Sequence, residues 1–192
     1  AIETSYRRPE PFAREVFDRG VQPSAVMAAC GIFQVSNVER LLRDASLHEM
    51  LSDWLTDMRD AYLAGSYEAT NPTIALADPV CVLERGETPD RPLPPFFMPI
   101  GGGDLLVDDT RRLSSALNAL GVANEYEVYA GEPHAFHMLT WRKASKQLWK
   151  DTFRFLSKHL PRTLYGTTSV APIEPRQKRN WIERRILSAM AA

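Results

Sequence analysis

One stretch sets the terms for the rest of the chain. An apolar run (Phe96, Phe97, Met98, Ile100) ends in three glycines, Gly101 to Gly103, and an acid, Asp104, follows at once. After an amphipathic segment, a second strand-like run from Glu125 to Tyr129 leads through a short turn to His134. Two successive strand ends thus deliver a carboxylate and an imidazole to one edge. In open α/β sheets, ligands and reacting groups gather at the carboxyl ends of the strands, where the loops converge. A histidine needs an acceptor on one ring nitrogen to fix its tautomer, which leaves the other nitrogen free to take a proton. Either residue alone has a simpler structural role, a helix cap or a satisfied histidine. The pairing at adjacent strand ends points to acid–base chemistry.

The chain has 192 residues, enough for one sizeable core, and 44% hydrophobic with 24% charged residues is ordinary for a globular protein. A formal charge of −1 gives no overall electrostatic case for nucleic acid or an anionic surface. Cys30 and Cys81 sit in apolar surroundings without a framework of spaced pairs, which reads as two free, buried thiols and favours a cytoplasmic setting. No run of about 18 apolar residues suggests a spanning helix. No cofactor motif and no metal-ligand spacing stand out.

Taken in order, residues 1–8 read as the last turns of a helix stopped by Pro9 and Pro11, and Phe12 to Phe17 as another short helix ending near Gly20. The continuous apolar run from Ala25 to Phe33 suits a strand covered on both faces. Residues 37–65 change character. Leu47, Met50, Leu51, Trp54, Leu55, Met58, Ala61 and Tyr62 recur at helical spacing with charges between them, a helical insertion with Asn37 and Ser46 as caps. Its apolar face either packs on the body or lines a pocket as a lid.

Residues 66–95 are proline-rich connection with one short helix around Pro79 to Leu83. Asp108 and Asp109 precede a helix closed by Gly121, and Trp141, Ala144, Leu148, Thr152, Phe155 and Leu156 mark the face of a long final helix. Strand, helix, strand, helix is the pattern of a doubly wound parallel α/β sheet. The expected organisation is a core piece over 1–36, a helical cap insertion over 37–75, the main core over 76–160 and a tail over 161–192. In the tail, Arg176, Lys178, Arg179, Arg184 and Arg185 accompany Ile182, Ile186 and Met190 at helical spacing. Such a basic amphipathic helix docks on its own body or a sister subunit, or touches a membrane surface.

The acid-then-base order near the end of an α/β chain is that of the α/β hydrolases. Gly103-Asp104-Leu105-Leu106-Val107-Asp108-Asp109 and Gly131-Glu132-Pro133-His134-Ala135-Phe136 resemble the D-x-L-x-D-[DE] and G-x-x-H-[GA]-F motifs of hormone-sensitive-lipase-like carboxylesterases. That resemblance covers about residues 1–160 and implies a partial α/β-hydrolase sheet with a helical cap. It implies Asp104 as triad acid and His134 as general base, with Asp108 and His137 as runners-up. Its substrate class would be small-molecule esters, with no cofactor and no nucleic acid. Ala135 stands where glycine is commoner. There is no G-x-S-x-G and no H-G-G-G stretch, and Ser24, Ser36 and Ser114 lack the context of a nucleophile. The expected serine lies upstream of Ala1, which opens as if inside a helix. A hydrolase-fold ligand-binding protein without catalysis, and a prolyl-oligopeptidase-like peptidase, share parts of this pattern.

Overall fold

The computed structural model describes residues 1–42, 49–64 and 74–160. Ala1–Leu160 form one compact unit. The expected tail helix and the Ser46 cap lie outside the described residues.

Among the described residues, three parallel strands run in the order β1 (Val26–Met27), β2 (Phe96–Gly101), β3 (Asn124–Tyr129). β2 pairs with β3 over its whole length, Phe96 opposite Asn124 through Gly101 opposite Tyr129. Every residue of β2 is buried. Alternation along the strand divides the core. Phe96 and Met98 pack with Val80, Val82 and Leu83 of α5 (Pro79–Glu84) and with Leu113 and Leu117 of α6 (Val107–Ala119). On the other face Phe97 stacks on Phe155 of α7 (Lys143–His159), with ring centroids 5.5 Å apart. Helices on both faces of a parallel sheet confirm the doubly wound class.

β1 is far shorter than the run from Ala25 to Phe33 predicts, and it is half-buried instead of covered on both faces. Pro99 supplies one reason. Val26 donates to Pro95 O and Ala28 to Phe97 O, so the odd-numbered residues of β2 face β1. The next donor on that side would come from Pro99, which has none, and pairing stops at Met27 opposite Phe97. Cys30 then turns into the left-handed region (φ 52°), which an extended strand cannot include.

The remaining helices are α1 (Ile2–Ser5), α2 (Pro11–Asp18), α3 (Glu49–Leu63) and α4 (Ile74–Ala77), with a 3₁₀ turn at Val38–Leu42. Within the expected insertion, Leu55 and Leu63 are buried and Met58 packs beside Leu55 and Val38. Trp54 and Tyr62, which the helical spacing placed on the apolar stripe, are exposed instead. Trp141 likewise precedes α7 and is exposed, and the buried face of α7 is Ser145, Leu148, Asp151, Thr152 and Phe155. Neither Asp108 nor Asp109 caps α6; Leu106 holds that position, with no side-chain cap bond. Among the described residues no helix is long and apolar enough to cross a membrane.

Candidate active site

Asp104 and His134 meet at the carboxyl edge of the sheet because the loops after β2 and β3 lie directly on one another. Gly102 N–H donates to Tyr129 O at 2.8 Å, and Gly103 N–H donates to Glu132 O at 3.0 Å. A Cβ on Gly101 would lie 2.8 Å from the Glu132 carbonyl carbon and 2.9 Å from Pro133 O, closer than side chains come to backbone. The glycine run is therefore a matter of space: it lets one loop's main chain rest on the other's. Tyr129 and Phe136 brace the second loop from beneath, their rings 5.1 Å apart and Phe136 wholly buried. The Tyr129 hydroxyl donates to Asp151 Oδ2 of α7 at 2.8 Å; burial first, then this contact, pushes its pKa up and keeps it a donor.

Asp104 is buried, and its two oxygens have separate tasks. Oδ1 accepts the Leu106 N–H at 3.0 Å, fixing the carboxylate plane. Oδ2 lies 3.0 Å from Nδ1 of His134. A carboxylate in its charged form only accepts, so this contact suits a ring that donates from Nδ1 and leaves Nε2 open. The side chain of Asp104 is 0% exposed while that of His134 is 54% exposed. A fixed acid thus holds an accessible imidazole, the arrangement that lets a ring accept a proton on its far nitrogen.

Ala135 has φ 56° and ψ 22°, a left-handed conformation immediately after His134. That explains why glycine suits this position, and the alanine costs roughly 1–2 kcal/mol of local strain. Neither runner-up takes part in the Asp104–His134 contact. Asp108 is exposed and pairs with Arg111. His137 places Nδ1 3.9 Å from Cys30 Sγ, and burial first, then the charge of His134, lowers its pKa. Ser36 Oγ is bonded to Asp78, and Ser114 Oγ donates to Asn124 Oδ1 at 2.9 Å, so both are engaged away from His134.

Three residues that the sequence left without a part stand close by. Asp109, buried at the last acid of the motif, accepts the Phe33 N–H at 2.8 Å and pairs with Arg40. Asp78 accepts the Ser36 N–H at 2.9 Å. Together they pin the segment that follows β1. Cys30, at the start of that segment, brings its sulfur within 4.8 Å of a ligand atom of both Asp104 and His134. Both cysteines are free, as expected, but only Cys30 is buried; Cys81 is half-buried beside Arg112. Burial, and then the Asp104 charge, raises the Cys30 pKa, so the thiol stays protonated and is a poor nucleophile. The position of Cys30 just past a strand on the same edge was the one signal that could have marked it.

A family model described as the alpha/beta hydrolase fold matches residues 15–138. Among solved structures, a mutant of the esterase E40 shares 25% identity over 72% of this chain and 44% of that one, with a TM-score of 0.54. An esterase from the bacterial hormone-sensitive lipase family shares 24% over the same fractions, with a TM-score of 0.53. A hormone-sensitive lipase from a metagenome library shares 22% over 77% of this chain and 48% of that one, with a TM-score of 0.57. The likenesses below 25% identity show the fold alone. The chain spans less than half the length of each of these structures. No curated protein matches the sequence.

Proposed function

This chain belongs to the alpha/beta hydrolase fold family, and on that premise we propose that it supplies the acid and the base of a hormone-sensitive-lipase-like carboxylesterase. Asp104 holds His134 in the Nδ1–H tautomer and balances the imidazolium that forms. Nε2 of His134 takes the proton from a serine hydroxyl as that oxygen attacks the ester carbonyl, then returns it to the leaving alcohol. The serine of a G-x-S-x-G elbow and the donors of an H-G-G-G oxyanion stretch belong to motifs that these 192 residues do not contain. Small-molecule esters are the substrate class. The observation that carries the reading is the 3.0 Å contact between a buried carboxylate and an exposed ring on adjacent strand ends.

The test joins the chain to the serine-bearing N-terminal half of a hormone-sensitive-lipase-family esterase and assays p-nitrophenyl butyrate. The chain alone is expected to give no turnover above buffer, and the joined protein a rate that His134→Ala abolishes. Asp104→Asn is expected to lower kcat by roughly 10⁴-fold, the effect of losing tautomer control in a serine triad. Turnover by the chain alone, lost in His134→Ala, would contradict this and place the nucleophile within the 192 residues.

A further inference from the structure

We propose that Cys30, Asp104 and His134, with His137 at the rim, form a binding site for a divalent cation of the zinc class. One ligand atom from each of the first three lies within 4.8 Å of the others. His137 Nδ1 lies 3.9 Å from the Cys30 sulfur, outside this trio and beside its soft end. Sulfur, imidazole nitrogen and a single carboxylate oxygen make a borderline-soft donor set, which suits zinc and not calcium or magnesium, whose sites are built from oxygen.

The surroundings fit a metal in three further ways. Asp104 is buried and already oriented by the Leu106 N–H, so one ligand is held in place by a hydrogen bond to its other oxygen. Cys30 is buried and held in its left-handed turn at the start of the segment pinned by Asp78 and Asp109. His134, by contrast, is half-exposed, which provides both an entry path and a ring that can swing. Zinc bonds of roughly 2.0–2.3 Å put tetrahedral ligand atoms about 3.5 Å apart, so the present spacing closes with about 1 Å of side-chain movement. Binding replaces the thiol proton of Cys30 by a sulfur–metal bond and releases that proton to solvent.

The consequence for activity rests on the proposed acid–base pair. An ion seated among these atoms competes with His134 for Asp104, and a ring ligated through Nδ1 carries its hydrogen on Nε2, the nitrogen that would otherwise accept a proton. Bound metal therefore withdraws the base from service, while the site itself does not depend on any catalysis.

Cobalt(II) titrated into the full chain under reducing conditions tests the site directly. The expected result is a thiolate-to-cobalt absorption band that saturates at one ion per chain and is discharged by zinc. Cys30→Ser removes the band and Cys81→Ser leaves it intact. Because losing only a ligand's hydrogen-bond partner costs about 10–100-fold in metal affinity, His134→Gln on the exposed ring should weaken binding at least about tenfold without altering the circular dichroism. No band, or a band that survives Cys30→Ser or disappears with Cys81→Ser, would overturn the proposal. Failure here leaves the tautomer of His134 unaffected, so it is distinguishable from failure of the acid–base reading.

Discussion

Behind Asp104 and His134, main chain rests on main chain; behind Cys30, buried carboxylates hold the chain in place. The first region owes its closeness to glycines that leave room for the Glu132–Pro133 backbone. The second, residues 31–42, carries few backbone partners and is tied to the body by Asp78 and Asp109. Arg40 completes the tie by donating to Gln34 O at 2.7 Å while pairing with Asp109. A junction without side chains has few ways to rearrange, which suits a fixed acid–base geometry. A junction made through side-chain carboxylates depends on single residues, and a change at one of them should stay local.

That contrast can be broken from either side. The largest effect is expected from Asp109→Ala. It leaves Arg40 without its buried partner and the Phe33 N–H without an acceptor, and removing one member of a buried pair costs about 3–5 kcal/mol. Urea unfolding would read the loss, and amide exchange should rise over 31–42 while the Asp104–His134 contact persists. Loss of that contact as well would show that the two regions are not independent. Gly101→Ala is next, at about 1–3 kcal/mol, the usual cost of forcing extra volume into a packed site. Here the His134 contact should be lost and the 31–42 protection kept.

Smaller changes sharpen the same picture. Ala135→Gly removes left-handed strain worth roughly 1–2 kcal/mol but adds freedom to the unfolded chain, for a net gain of up to about 1 kcal/mol in thermal unfolding. At the opposite end of β3, a hydrogen bond from Lys158 at 2.9 Å, acting against burial, lowers the Glu125 pKa. A depressed carboxylate contributes stability that is complete above the ordinary glutamate range and is lost as pH falls through its folded value. Lys158→Met should flatten that acid-side slope by less than about 1 kcal/mol and leave the strand-end site untouched.

How far each region could be read beforehand follows from the same difference. The glycine run, Asp104 and His134 are local signals: strand, breaker and polar residue stand together in sequence, and parallel pairing brings two such ends side by side. The helices α5, α6 and α7 announced themselves by periodicity and by prolines and glycines at their ends. The Asp109–Arg40 and Asp78–Ser36 ties join residues far apart in sequence, and no local pattern encodes them. Trp54 and Tyr62 misled because spacing defines a stripe but not its width or the side that finds a partner. The length of β1 depended on Pro99 in another strand, a cross-strand effect that reading the run at Ala25 to Phe33 could not reveal.

Nitrogen-15 NMR of the His134 ring reads the proposed hold of Asp104 on its imidazole. The expected spectrum is that of a neutral ring protonated on Nδ1, with a downfield Nδ1–H resonance that disappears in Asp104→Asn. A ring protonated on Nε2, or a spectrum unchanged by Asp104→Asn, would contradict it.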